Sequence, residues 1–368
     1  MRRITSPGRL ARKRVLLASA SLITLAVACS DVHAQSAQSA PPTTGAPQGQ
    51  WSSWSEAGLT GHPALDPALG LSPLGPFANV DPGFGWESAI GFDYRQALCE
   101  ARATLLVKAP CRQRWSPYHV FGQFRYGQNS GASDPISHTT SIPLRTTAVL
   151  GTPTPALVNT SGTATLNNES HWLVDLGVGR DFGLGSGNFQ AQAGIRVAEI
   201  ISTAGTAAGA FQGCLFGPPA SAFPFCTHAT GNFSFQSRSQ FLGVGPRLSV
   251  DGSQPLGGSW AFEYLGGVAV LFGDRSFNAS QSLFATTGTS FVPAQSSVTA
   301  LSASSLAAIF NLDAQAGISY WLTQNFKLTA SFRFDGYFNA LTVIEPNGAL
   351  SQQDRFYYGP MLRGTVTF

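Results

Sequence analysis

The chain ends in a run that constrains its fold more than any other feature. Read backwards by twos from the C-terminus, Phe368, Val366, Gly364, Leu362, Pro360, Tyr358 and Phe356 form one face, apolar with aromatics at both ends. Thr367, Thr365, Arg363, Met361, Gly359 and Tyr357 form the other, mostly small, polar or charged. Alternation with period two places successive side chains on opposite faces of a β-strand. An apolar face opposite a wet one fits a strand with lipid on one side and a hydrated interior on the other. The competing reading is the last strand of a soluble sandwich, and what precedes the strand decides between them.

The N-terminus is built for export. Arg2, Arg3, Arg9, Arg12, Lys13 and Arg14 precede a short apolar run, Val15 to Ala28, and Val32-His33-Ala34 places small residues around a cleavage point before Gln35. This is the layout of a secretory signal peptide over residues 1–34, too short to cross a membrane as a helix. Cys29, after Ala26-Val27-Ala28, sits in a degenerate lipoprotein cleavage site that lacks the usual leucine. Cleavage after Ala34 removes six of the 22 Lys+Arg and one of the 19 Asp+Glu, leaving 16 against 18, or a net charge of about −2. The mature chain has no basic stripe, so nothing points to nucleic acid as a partner. No later segment has 18 consecutive apolar residues. Charged residues make up only 11%, with 40 Gly and 26 Phe, against about 25% charged residues in a soluble domain. A barrel wall in lipid avoids charge and uses glycine where curved strands approach closely.

Cleavage leaves Cys99, Cys111, Cys214 and Cys226, two local pairs of equal spacing. Four cysteines allow three connectivities. In an exported chain the local pairs Cys99–Cys111 and Cys214–Cys226 are expected, each stapling one loop, with free thiols as the alternative. No histidine sits at ligand spacing from them, so no metal site is expected. Nothing implies a cofactor.

Residues 35–82 are rich in Pro, Gly, Ser, Gln and Ala and read as a periplasmic leader, with Trp51, Trp54 and the Leu-Pro alternation from Pro63 to Phe77 suggesting a plug or collar. Residues 83–368 contain nine alternating segments. Their polar faces carry Glu87, Asp93 and Arg95; His119, Gln123 and Arg125; Asp175; Gln190, Gln192 and Arg196; Arg247; Glu263; Asn311, Asp313 and Gln315; Lys327, Arg333 and Asp335; and Arg363. Connections alternate: long at about 339–353, 274–305, 201–236 and 127–170, short at about 323–325, 252–259 and 183–188. Long loops on one rim and tight turns on the other are the outer-membrane pattern, and a soluble sandwich has no reason to segregate them. The expected fold is an all-β, antiparallel up-and-down transmembrane barrel. Both termini on one side require an even strand number. Ten is preferred, the tenth lying within about 51–77, and eight and twelve remain open. On this register Cys99–Cys111 lies on the periplasmic rim and Cys214–Cys226 outside the cell, which keeps the pairs apart.

A closing strand with a terminal aromatic resembles the C-terminal strand of bacterial outer-membrane barrels, which marks Phe368 as an assembly signal. The stretches VDLGVGRDFGLGSGNFQAQAGIRVAEI (Val174–Ile200) and FLGVGPRLSVDGSQPLGGSWAFEYLGGVAVLFGDRS (Phe241–Ser276) resemble the Legionella-type major outer-membrane protein family. The landmarks are a strand running into Gly-Arg-Asp and then Gly-Ile-Arg, and a Gly-x-Gly-Pro-Arg-Leu strand followed by a hairpin ending in Leu-Phe-Gly. The resemblance implies a pore-like or surface-structural barrel and supplies no catalytic residues. The expected partners are outer-membrane lipid and, through the last strand, the barrel-assembly machinery, with the barrel a monomer.

The inward charged and amide residues carry the functional expectation: a hydrated lumen that passes small hydrophilic solutes, with both signs mixed and therefore little ion selectivity. The alternative is a closed ion-pair network in a narrow barrel that displays long loops. A lipid-modifying enzyme is a third reading. Ser170 and His171 are adjacent and so point to opposite faces, which prevents them from forming a dyad. His119 near Glu87 or Asp93 is read first as a satisfied lumen histidine and second as a proton-transfer pair. No catalytic residue is assigned.

Overall fold

A computed structural model describes residues 49–61, 84–100, 112–144, 154–184, 187–215, 227–287, 295–344 and 350–368. The signal-peptide region with Cys29, together with Cys111 and Cys226, lies outside the described residues. Cys99 and Cys214 fall in strands, but their side chains are not described, so the cysteine pairings also lie outside.

Ten antiparallel strands close into a barrel: β1 (Gln50–Thr60), β2 (Gly85–Glu100), β3 (Arg112–Leu144), β4 (Thr154–Leu184), β5 (Gly187–Leu215), β6 (Thr227–Gly257), β7 (Trp260–Thr287), β8 (Gln295–Trp321), β9 (Phe326–Ile344) and β10 (Leu350–Thr367). Each strand pairs with its sequence neighbours, and β1 pairs with both β2 and β10. The tenth strand is β1, within the Pro/Ser-rich stretch that composition assigns to the leader. At the seam Trp51 and Phe368 exchange backbone hydrogen bonds of 3.0 and 2.9 Å. The terminal aromatic therefore sits where the sheet closes on itself. The start of β1 and the end of β10 share one rim with the tight turns, including Gly257-Gly258, whose positive φ values of 121° and 58° are ones that only glycine adopts freely.

The outer wall shows where lipid ends. On β7 the outward residues Trp260, Phe262, Val268, Val270 and Phe272 are exposed apolar side chains. The next outward positions are Asp274, Ser276 and Asn278. That apolar stretch is close to the 9–11 residues a tilted strand needs to cross a bilayer. Aromatic pairs mark both levels: Trp51–Tyr94 and Trp260–Tyr320 near the rim with the termini, Trp86–Tyr126 and Phe334–Phe356 at the other.

Strands β3 to β8 run 27–33 residues, roughly three times the membrane-crossing length. Most of the long loops expected from the sequence are therefore extensions of strands. Beyond the bilayer both faces meet water, so apolar alternation disappears from the sequence while the backbone ladder continues. Among the described residues the wall beyond the membrane is made of these six strands, because β9, β10, β1 and β2 are shorter.

Candidate functional site

The site is the lumen. Every inward candidate from the sequence points into it, and the residues fall into three levels. Nearest the termini is a vestibule of about 380 Å³. Asp93, Arg95, Gln190, Gln192, Glu263, Lys327 and Arg363 are among the side chains that line it. Most of its charges are paired. Arg95 bonds Asp181 and lies 3.3 Å from Asp93, Lys327 bonds Glu263, and Arg363 Nε donates to Glu56 Oε2 at 2.8 Å. His119, buried, lies 3.4 Å from Asp93 and 3.5 Å from Asp181. Gln192 accepts a hydrogen bond from Ser249 at 3.1 Å.

The second level is ionic and crosses the barrel. Arg196 donates twice to Asp175, both at 2.7 Å, once to Asp313 at 2.8 Å, and also to Asn311. Arg247 closes the same cluster from β6, at 3.2 Å from Asp313 and 3.3 Å from Asp175. Gln123 donates to Asp175. A second cluster is built on Glu87: Arg333 donates to it at 2.7 Å, His171 lies 3.2 Å away and Arg125 3.4 Å. Arg125 also donates to Asp335 at 2.7 Å, and Arg333 reaches Glu56 and Gln315. The carboxylates are Glu56, Glu87, Asp175, Asp313 and Asp335; the guanidiniums are Arg125, Arg196, Arg247 and Arg333, with Arg363 at the vestibule edge. Five charges of each sign balance. Apart from Arg363, every charged side chain of this set is at most 4% exposed.

Strand β7 contributes no charge to this layer and gives it space. A Cβ on Gly267 would lie 2.7 Å from Asp313 Oδ1, and one on Gly127 would lie 2.3 Å from the His171 ring. Both are inward positions where only a hydrogen fits beside the layer. Replacing Gly267 with leucine is expected to destabilise the barrel by about 1–3 kcal/mol through overpacking, read as a lower urea midpoint than wild type. An unchanged midpoint would show that the layer has slack.

The third level, away from the termini, was missed by sequence reasoning. Leu173, Ile200, Phe241, Leu271, Ile309, Tyr337, Leu341 and Tyr357 form a fully buried apolar cluster inside the barrel. The sequence signal was present: each occupies an inward position on its strand. Reading the inward face only for polar residues passed over them. Glu169 caps this level, accepting from Arg355 and from the Tyr357 hydroxyl, both at 3.0 Å. Ser170 and His171 point to opposite faces, as their adjacency requires. Among the described residues no group of three His, Cys, Asp or Glu side chains is placed to hold a metal ion.

A closed ten-stranded wall, an apolar outer belt with aromatic edges and a charge-filled interior are now in place. The family model for the Legionella pneumophila major outer membrane protein precursor matches residues 128–368, well over half of the chain. The chain belongs to the Legionella major outer membrane protein family. It is an outer-membrane β-barrel. No curated protein matches it. Solved structures with some likeness include the outer membrane protease OmpT from Escherichia coli (9% identity, 90% of this chain and 100% of that one, TM-score 0.36). Others are the translocator domain of autotransporter NalP from Neisseria meningitidis (10%, 97% and 98%, 0.22) and the toluene transporter TodX from P. putida (8%, 88% and 90%, 0.26). Likenesses this distant carry nothing about what the family member does.

Proposed function

We propose that this family member is a closed, non-catalytic structural barrel of the outer membrane that displays its six-stranded wall to the cell exterior. The ionic layer is the observation that carries this reading. Its charged side chains are bonded to each other across the lumen and are shielded from solvent. A conducting pore needs a continuous column of water past such groups. An apolar cluster stacked on the layer adds a second barrier. Ten strands enclose a space that long arginine and aromatic side chains fill, as happens in barrels of similar size. The barrel acts as a monomer held in lipid by its apolar belt, and its last strand with Phe368 serves assembly.

A porin-like passive channel for small hydrophilic solutes is the second reading, favoured by the polar vestibule. Conductance in a planar bilayer separates the two. The folded protein is expected to be silent, with no steps above the bare membrane. Stable steps that scale with bulk salt would overturn the closed barrel and install the porin reading. In that case the balanced charges call for little ion selectivity.

A further inference from the structure

The outward positions of β4 run from Trp172 to Phe182, and all but one are apolar. Trp172, Val174, Leu176, Val178 and Phe182 follow the rule that lipid imposes, and Arg180 breaks it. Alternation puts Arg180 on the outer wall, beside the Phe182–Phe189 ring pair at the rim of tight turns. Its side chain is exposed. A guanidinium on the lipid face costs free energy, less near the interface than at the bilayer centre. With five N–H donors and no acceptor, an arginine at this place needs acceptors from its surroundings.

The chain supplies none. The adjacent carboxylate, Asp181, points into the barrel, where it bonds Arg95 and lies 3.5 Å from His119. Residues 183–187, which join β4 to β5, include no acid. No hydrogen bond or ion pair ties the Arg180 side chain to another described residue. What the chain supplies is a mount. The guanidinium carbon lies 5.6 Å from the centre of the Tyr118 ring and 5.0 Å from that of Phe182. Ring faces attract a guanidinium through their quadrupole and leave its N–H edge free. Tyr118 is the register partner of Arg180 on β3. On the other side the register partner is Ala191 on β5, which sets only a methyl group beside the guanidinium and leaves that flank open. Three other cations sit over rings: Arg247 over Phe121, Lys327 over Trp321 and Arg363 over Trp54. Each of those is also paired with a carboxylate, Asp175, Glu263 and Glu56 respectively. Among the described residues Arg180 has the rings without the acid.

We propose that Arg180, held between Tyr118 and Phe182, is a binding site for the phosphodiester of a membrane lipid. Short turns mark the periplasmic side of an outer-membrane barrel, so the lipid is a glycerophospholipid of the leaflet facing the periplasm. Its phosphate takes parallel N–H donors of the planar fork. Its acyl chains lie along Val178 and Leu176, which are 59% and 56% exposed. A free phosphate offers the same oxygens without the chains, and the lipid binds because both parts are met.

Native mass spectrometry of the whole folded protein tests the site. The protein is released from micelles doped equally with phosphatidylglycerol and with diacylglycerol of the same chains. Wild type is expected to retain phosphatidylglycerol in preference to diacylglycerol. Arg180→Gln should cut the retained phosphatidylglycerol about tenfold, the fold-change of one lost charge-assisted contact, and leave diacylglycerol unchanged. Phe182→Leu keeps the charge and removes one ring, so it should cut retention by a smaller factor, and it carries the test if the glutamine variant does not fold. Inorganic phosphate in excess should not displace the lipid. Displacement would show a site for the bare anion and would overturn the lipid assignment. Equal retention of the two lipids by wild type, or unchanged retention in the folded variants, would overturn it as well. The site lies on the outer wall, so it stands or falls separately from the closed-barrel reading.

Discussion

Replacing Arg196 with alanine is expected to lower the stability of the barrel by about 3–5 kcal/mol. Arg196 is fully buried and bonds Asp175 through two nitrogens while also holding Asp313 and Asn311. The size of the effect comes less from the attraction that is lost than from what remains. A buried ion pair gains little over a well-packed apolar pair, because desolvation consumes most of the Coulomb energy. Removing one partner is different, since the carboxylates of Asp175 and Asp313 stay buried with one guanidinium fewer. Arg247 lies within reach of both, at 3.3 and 3.2 Å, and one guanidinium would then face two carboxylates. Arg363→Ala supplies the contrast. That side chain is 19% exposed at the vestibule, and its loss should cost less than that of Arg196, because Arg333 still pairs with Glu56. Urea unfolding in detergent micelles, followed by tryptophan fluorescence and heat-modifiable gel mobility, measures both. Equal midpoints for the two variants would mean that water reaches the ionic layer and would remove the main support for a closed lumen.

The second large effect is expected from Phe241→Ala, at about 3–5 kcal/mol. Phe241 has no exposed surface and packs among the lumen residues Leu173, Ile200, Leu271 and Ile309. These neighbours are anchored on different strands of a closed sheet and cannot collapse into the space a ring leaves. The loss therefore includes a cavity term as well as the transfer term. Phe124→Ala removes the same ring from the outer wall, where the side chain is 41% exposed. There an acyl chain can fill the gap, and the loss should be a small fraction of the first. Finding the same loss at both sites would mean that the inner cluster is loosely packed. The lumen would then be closed by the ionic layer alone.

Several features were legible because lipid imposes a simple rule on sequence. Leu176, Val178, Ile195, Leu248 and Phe332 all face outward and are exposed, as alternation predicted. Asp175, Arg196 and Arg247 face inward by the same rule. Whether those inward charges stand apart around water or meet across the lumen depends on barrel diameter and on which strands oppose each other. Arg125 and Asp335 are 210 positions apart in the chain, and no local pattern announces their bond. The first strand was hard to place for a different reason. In Gln50–Thr60, Trp51 and Leu59 are exposed apolar residues, but serines and glycine between them dilute the alternation.

The strand ends show the limit of the pattern most clearly. Apolar alternation stops near Phe272 and Phe310 because lipid stops there, and the ladder between β7 and β8 continues from Phe272–Ala308 to Ala285–Gln295 through Ser and Ala residues mixed with Asp274, Arg275, Asn278 and Gln281. The sequence alone determined the β class, the side each strand turns to lipid and the height of the belt, because these follow from the solvent that each face meets. Only the tertiary structure decided that buried charges of both signs meet across the lumen, that among the described residues six strands rise beyond the membrane and that the end of β9 turns inward at Asn339. Those outcomes depend on contacts between residues far apart in the chain, whose partners are set when the sheet closes on itself.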